Sequence, residues 1–303
     1  MSVGITTRNR HASLERCLES LRHISHLDPE ILVFDDGSDP PVSAALGGRP
    51  AVRIIRDASA PGNIVGRNRL MAAASADAVL LLDDDAALVD SEAVERGLSI
   101  LEADGGVAAV GFAQANADGT PWPESMQAGP GQSPRYVAAF IGFAHLLRRR
   151  VFLDLGGYRE RFVFYGEEKE FCLRLLDRGF HVVYLPEARV LHLQDPSGRS
   201  RQRYLRYVTR NDMLHAIYNE PAHRAAWLLP ARLGLYFRMR QRWGISDPGG
   251  WWWVVREVTR NARAALADRR PVSRRTLGEW RRLRHEAVPY SPPTRPRRER
   301  SVV

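Results

Sequence analysis

The stretch "AVLLLDDDAALVD", residues 78–90, sets an apolar run, Val79 to Leu82, directly against three consecutive carboxylates, Asp83, Asp84 and Asp85. Neighbouring carboxylates repel one another, and burying one without a partner is costly. The pattern predicts a buried strand whose end is built to face something positive. The chain before it has the same rhythm. "VGIT" (3–6), "EILVF" (30–34) and "VRIIR" (52–56) are further apolar runs of strand length. Between the first two, "SLERCLESLRHI" places Leu14, Cys17, Leu18 and Leu21 at helical spacing, with Ser13 as the expected N-cap. "PGNIVGRNRLMAAAS" reads as a turn followed by a helix. Strand, helix, strand in this order predicts an α/β fold, a parallel sheet with right-handed crossovers. Such sheets bind ligands beyond the carboxyl ends of their strands. "FDDGSD" (34–39) and "LDDDA" (82–86) both fall at those ends, so the two acidic clusters are expected to face one cleft.

Further along, "VAAVGFAQA" (107–115) is another strand, and "NADGTPWPESMQAGPGQSP" is a long stretch dense in turn formers, the kind of loop that is more often functional than idle. "YVAAFIGFAHLLRR" returns to strand character. A helix beginning on acids is expected from about 167 to 178, then two strands up to His192. Beyond 200 the strand signals fade into amphipathic helices, and the Pro/Arg-rich end is expected to be disordered. The division this predicts is a catalytic domain over 1–215, a helical arginine-rich region over 216–288 and a tail over 289–303.

The 303 residues are 44% hydrophobic and 26% charged, as in an ordinary globular protein. No apolar run reaches the roughly 18 residues a membrane-spanning helix needs. Met1 leads straight into "SVGITT" with no basic, apolar leader, so no signal peptide is expected, and two cysteines far apart in the chain make a reduced, cytoplasmic setting the simpler reading. Cys17 and Cys172 form neither a zinc set nor a disulfide framework. The net charge of +9 is unevenly placed: residues 220–303 hold 19 arginines and 7 acids, the preceding 219 residues 25 basic and 28 acidic side chains. Such a tail implies an anionic neighbour.

In order, "GITTRNR…LERCLESL", "ILVFDDGSD", "GRN", "LLLDDDA", "GGYRERFVFYGEEKEFCLRLLDRG" and "VYLPEARVLH" resemble a family 2 glycosyltransferase of the GT-A fold. Within that family the bacterial rhamnosyltransferase-like members are most similar. The resemblance covers residues 2 to 215. It implies a Rossmann-like core that moves a sugar from a nucleotide-diphosphate donor to an acceptor hydroxyl with inversion, in the making of cell-surface glycans or glycoconjugates. Donor sugars such as rhamnose or galactofuranose are compatible, and the acceptor is a glycan, a lipid-linked or a small molecule.

The residues fit that chemistry. The leaving nucleoside diphosphate gains charge as the glycosidic bond breaks, and a hard divalent cation, Mg²⁺ or Mn²⁺, held by carboxylates would stabilise it. By resemblance, Asp85 is a direct ligand, Asp83 stands near the ribose or the metal, and His192 completes the metal or diphosphate site; Asp84 alternates to the other side of the chain and is counted with Asp83 among the donor-binding residues. Asp35 or Asp36 can accept from a pyrimidine N–H or a ribose hydroxyl. Thr7 matches the position beside the base, and Arg67 is a candidate partner of the diphosphate. The family places Glu-Asp at the start of its acceptor-side helix, with Asp as base. Here the pair is Glu167-Glu168, so Glu168 is the expected base, one methylene longer, and Glu167 orients the acceptor or the loop. Trp122 is an acceptor-stacking candidate or a loop anchor.

A nucleotidyltransferase would also need acidic ligands, but "TTRNRHAS" is not its glycine- and lysine-rich phosphate loop. A non-catalytic nucleotide- or sugar-binding homologue is the other alternative, favoured by Glu168 alone. For the tail, "WWWVV" (251–255) followed by spaced arginines suggests an amphipathic helix on the anionic inner face of the membrane, packing of the tryptophans on the protein, or a dimer interface. The absence of a recognised nucleic-acid motif argues against nucleic acid.

Overall fold

The computed structural model describes residues 1–46, 51–194 and 200–293. The first part alternates as the sequence pattern predicts: β1 (Ser2–Thr7), α1 (His11–Ser20), β2 (Glu30–Asp35), the short α2 (Val42–Ala45), β3 (Val52–Arg56), α3 (Asn63–Ala73) and β4 (Ala78–Asp83). Then follow β5 (Ala86–Leu88), α4 (Glu92–Ala103), β6 (Val107–Ala115), β7 (Arg135–Val137), β8 (Ala144–Arg148), α5 (Arg149–Asp154), α6 (Glu167–Asp177) and β9 (His181–His192). The chain ends in α7 (Arg201–Asn219), α8 (Ala222–Arg242), α9 (Gly250–Ala267), α10 (Arg274–His285) and the two-residue β10 (Val288–Pro289).

The strands form one mixed sheet in the order β10-β7-β9-β6-β8-β4-β1-β2-β3, with β5 paired to β9 alone. β1, β2, β3 and β4 are mutually parallel, while β8 runs antiparallel between β4 and β6. This is the expected α/β class, with helices on both faces. β1 and the body of β4 are buried because both faces are covered. Val3, Ile5, Leu80 and Leu82 meet Leu14, Cys17 and Leu18 of α1 on one face; Leu81 and Leu32 meet Leu70 and Met71 of α3 on the other. After β3 the chain crosses back through α3 to place β4 on the far side of β1. That reversal opens a crevice at the carboxyl ends of β1 and β4, where Thr7 and Asp83 lie.

Four details differ from the sequence reading. Ser13 lies inside α1, buried; Arg10 occupies the N-cap position without a side-chain cap. The apolar stretch 136–149 divides into two short strands, because 138–143 leaves the sheet to approach the crevice. The two strands expected up to His192 are one continuous strand, β9. A further helix, α10, follows the three expected ones and packs against α6, where the Asp177 carboxylate accepts from the Ser273 amide (3.0 Å) and the Thr276 hydroxyl (2.5 Å). Pro289 pairs with Arg135 in the sheet, and the expected disorder of the tail falls from 294 onward outside the described residues. Cys17 and Cys172 are both free and buried. Among the described residues no helix is long and apolar enough to cross a membrane.

Candidate active site

The carboxylates that end β4 are held by cations of the chain itself. Arg10, just before α1, donates to Asp84 Oδ1 (2.6 Å) and Asp85 Oδ2 (2.8 Å), and the Thr7 hydroxyl donates to Asp84 Oδ2 (2.7 Å). Burial still pushes Asp84 up to about 7; Arg10 and Thr7 oppose the shift, and Asp83 and Asp85 add to it. Asp84 and Asp85 thus share the guanidinium of Arg10. Sequence reasoning missed Arg10. Its signal was its place in "TTRNR", just beyond the end of β1 that faces β4.

Asp83, Asp85 and His192 each present a ligand atom, and these atoms lie within 4.8 Å of one another. Register explains how residues so distant in sequence meet: β5 runs antiparallel to β9 with Ala86 opposite His192, so the histidine falls beside Asp85. The Leu193 amide closes the contact on the Asp85 carbonyl (2.8 Å). The imidazole is oriented from behind. Its Nδ1 is 2.7 Å from Gln114 Oε1, while the Gln114 amide nitrogen donates to the Met126 carbonyl, which fixes which end of the amide faces the ring. Nδ1 is therefore the donor, and Nε2 faces Asp85 Oδ1 at 3.6 Å. Trp122 and Phe143 sandwich the ring, with centroids 5.0 and 4.9 Å away. Trp122 thus acts as a loop anchor against the histidine. Two carboxylates and an imidazole so oriented are a donor set that fits Mn²⁺ or Mg²⁺.

Arg67 joins this cluster to the second acidic pair. It is buried, and its guanidinium donates to Asp83 Oδ1 (2.7 Å), Glu167 Oε1 (3.0 Å), Glu168 Oε1 (3.3 Å) and the Gly142 carbonyl (2.8 Å). Burial works against its charge, but Asp83, Glu168 and Glu167 outweigh it and hold the guanidinium firmly protonated. Expected from the sequence to face a diphosphate, Arg67 is instead surrounded by protein oxygens. The two glutamates differ in access: the Glu167 side chain is 3% exposed and that of Glu168 19%. Burial, and then the charge of Glu168, push the Glu167 carboxyl well above the usual range.

The loop before α6 is pinned from α7. Asn211 donates to the carbonyls of Phe162 (2.9 Å), Phe164 (2.7 Å) and Tyr165 (2.7 Å), and Gly166 takes a left-handed conformation immediately before Glu167. Sequence reasoning missed Asn211, which sits in an ordinary-looking helix. Gly142 is required by space: a Cβ there would lie 1.9 Å from Glu168 Oε1 and 3.1 Å from an Arg67 nitrogen. Gly142→Ala should therefore displace Glu168 and lower turnover at least tenfold while the fold persists, checked by steady-state rates beside circular dichroism.

At the end of β2 the two aspartates part company. Asp35 is fully buried and taken up by the chain: it accepts from the amides of Ser38 (2.8 Å) and Val42 (3.1 Å) and pairs with Arg56. Asp36 accepts one bond, from the Gly62 amide (2.8 Å), and burial raises its carboxyl. Thr7, Asp36 and the Asp83–Asp85 cluster thus lie at the ends of the neighbouring strands β1, β2 and β4.

Residues 2–156 match the family described as Glycosyl transferase family 2. The chain belongs to that family. The glycosyltransferase is 25% identical over 217 residues to "Pre-mycofactocin glycosyltransferase" of Mycobacterium tuberculosis, a match covering 63% of this chain. It spans only 42% of that relative's length. Among solved structures it shares its fold with S. aureus TarS 1-349 in complex with UDP-GlcNAc (TM-score 0.60, 14% identity, 88% of each chain). A second is the mannosyltransferase PcManGT from Pyrobaculum calidifontis with GDP-Man and Mn²⁺ (TM-score 0.54, 14% identity, 88% of this chain and 83% of that one). The sheet and its covering helices are those of GT-A glycosyltransferases, as the sequence resemblance implied.

Proposed function

We propose that this glycosyltransferase transfers a sugar from a nucleoside-diphosphate donor to an acceptor hydroxyl, with inversion and with a divalent cation, Mg²⁺ or Mn²⁺, held by Asp83, Asp85 and His192. The observation that carries the reading is the pair of acidic sets at the crevice, joined through Arg67. Donor-bound neighbours of the same fold, one with UDP-GlcNAc and one with GDP-Man and Mn²⁺, support the class of donor.

The cation would act as a Lewis acid toward the departing diphosphate. Thr7 and Asp36 are the nucleoside-side residues, Asp36 in preference to Asp35 because the latter's oxygens are committed within the chain. Arg10, with a partly exposed guanidinium beside the carboxylates, is the cation of the chain placed to meet phosphate oxygens. Glu168, the more accessible glutamate, removes the proton of the acceptor hydroxyl as it attacks the anomeric carbon opposite the leaving group. Glu167 positions Glu168 and Arg67 from beneath. The acceptor is a glycan, a lipid-linked or a small molecule bearing that hydroxyl.

The test is thermal unfolding of the purified protein with UDP, dTDP, GDP or CDP, each with and without Mn²⁺. A ligand at a hundred times its Kd stabilises the native state by about 2.7 kcal/mol. One nucleotide should raise Tm only in the presence of Mn²⁺, and Asp85→Ala should abolish that shift. A protein whose Tm ignores all four at millimolar concentration does not have this donor site.

A further inference from the structure

The C-terminal helices carry a surface that sugar transfer does not explain. Between Glu220 and Glu257 the sequence contains a single acidic residue, Asp247. It is buried, accepting from Arg206 Nε (3.0 Å) and the Tyr236 hydroxyl (2.6 Å). The exposed face of this segment therefore has no carboxylate. It has large aromatic side chains instead: Trp227 is 69% exposed, Trp252 59%, Phe237 43%, Trp251 40% and Trp243 38%.

The arrangement follows helical geometry. On α8, Trp227, Pro230, Gly234, Phe237 and Gln241 are exposed at spacings of three or four, so one side of the helix is an uncovered, mostly apolar stripe. Exposed Arg238 and Arg242 flank its end, and neither has a carboxylate within ion-pair distance among the described residues. Across residues 243–249 the pattern resumes on α9 with exposed Trp252, Arg256, Arg260 and Arg263 along one side. Trp253 alone of the three consecutive tryptophans turns inward, against the Tyr207 ring at 5.2 Å. Large exposed aromatics are normally withdrawn from water, and a set of them marks a surface that is covered in use.

We propose that the corner formed by the end of α8, residues 243–249 and the start of α9 docks on an anionic lipid bilayer. Tryptophan is suited to the headgroup layer, where its ring is buried and its N–H stays wet, and arginines beside it meet lipid phosphate. Trp227, Trp251 and Trp252 project from the surface and line neither of the two open hollows beside residues 244–248, so they suit entry into a soft layer better than the gripping of a strand. The charge is complementary, since 19 arginines against 7 acids lie in residues 220–303 while the rest of the chain is slightly acidic. The corner also adjoins the catalytic loop. The Trp243 ring lies 6.0 Å from Tyr204, which lies 4.7 Å from Tyr165, two residues before Glu167. Resting on the reading of Glu168 as base, docking here brings the acceptor side of the site toward the bilayer, so that a lipid-borne acceptor hydroxyl is within its reach.

Co-sedimentation of the full chain with vesicles tests the docking without donor, metal or turnover, so its failure is separate from failure of the proposed chemistry. Vesicles of phosphatidylcholine with one third phosphatidylglycerol should pellet the protein and shift its tryptophan emission to the blue. Phosphatidylcholine alone should bind at least tenfold more weakly. Trp251→Ala/Trp252→Ala and, separately, Arg238→Glu/Arg242→Glu should each weaken binding to the anionic vesicles at least tenfold with Tm unchanged. Equal binding to both vesicle types, or none to either, overturns the proposal. So does a concentration-dependent dimer that both pairs of substitutions dissociate, or an affinity for single-stranded RNA exceeding that for the vesicles.

Discussion

Glu168→Gln lowers kcat by about 10²–10⁴-fold, the contribution of a positioned general base. Metal-dependent stabilisation by the nucleotide diphosphate remains as in the parent enzyme. The substitution keeps the shape and a carbonyl oxygen toward Arg67 but cannot take a proton. Glu167→Gln is the discriminating companion. Glu167 is almost wholly inaccessible and its carboxyl is pushed upward by burial, so a neutral amide mimics a form it readily adopts. Its loss should stay within about tenfold in kcat, the order of a single hydrogen bond. Equal collapse in both variants would assign the base to the pair as a unit; loss in Glu167→Gln alone would overturn the assignment. Glu168→Asp, which shortens the arm by one methylene, reports reach: turnover should fall less than in Glu168→Gln.

Arg67→Met costs about 3–5 kcal/mol of stability, because it leaves buried carboxylates without their shared counter-ion. Asp83 and Glu167 lose the guanidinium that lies 2.7 and 3.0 Å away, and Glu168 loses its contact at 3.3 Å. The deficit depends on pH with a definite sign. In the variant the folded-state Glu167 carboxyl rises further above its unfolded value, near 4.5. The variant's folded state then holds its proton to higher pH than the parent's does, so the penalty grows as pH rises above the parent's already raised Glu167 value and shrinks below it. Urea unfolding at pH 8.0 and 5.5 should show the larger gap from the parent at pH 8.0. Arg67→Met/Glu167→Gln should recover part of the loss, because one uncompensated charge is then absent. A gap independent of pH would mean that Arg67 acts by packing alone.

These two variants concern residues that the sequence identified to different degrees. Glu168 could be nominated as base because it falls in an ordered run of motifs and at the start of an amphipathic helix. Arg67 was recognised as a site residue, but its partners were not. No local pattern ties position 67 to 83, 142, 167 and 168; the crossover of α3 and the return of 138–143 bring them together. Arg10, Gln114 and Asn211 were missed for the same reason. Each acts through a contact far along the chain, with carboxylates at 84 and 85, an imidazole at 192 and carbonyls at 162, 164 and 165.

The sequence alone determined what depends on short-range regularity. The period of its apolar residues specified the parallel strands and crossover helices, and "LLLDDDA" located the carboxyl end at which a crevice opens. Tertiary structure decided what depends on register and burial. β5 paired with β9 sets His192 beside Asp85, and the end of β2 takes up Asp35 while leaving Asp36 with one bond. In "GEEKEF" adjacent glutamates look alike, yet a turn of about 100° per residue on α6 buries one and leaves the other partly open. Consecutive identical letters carry no sign of which will face inward, because that is settled by what packs against them.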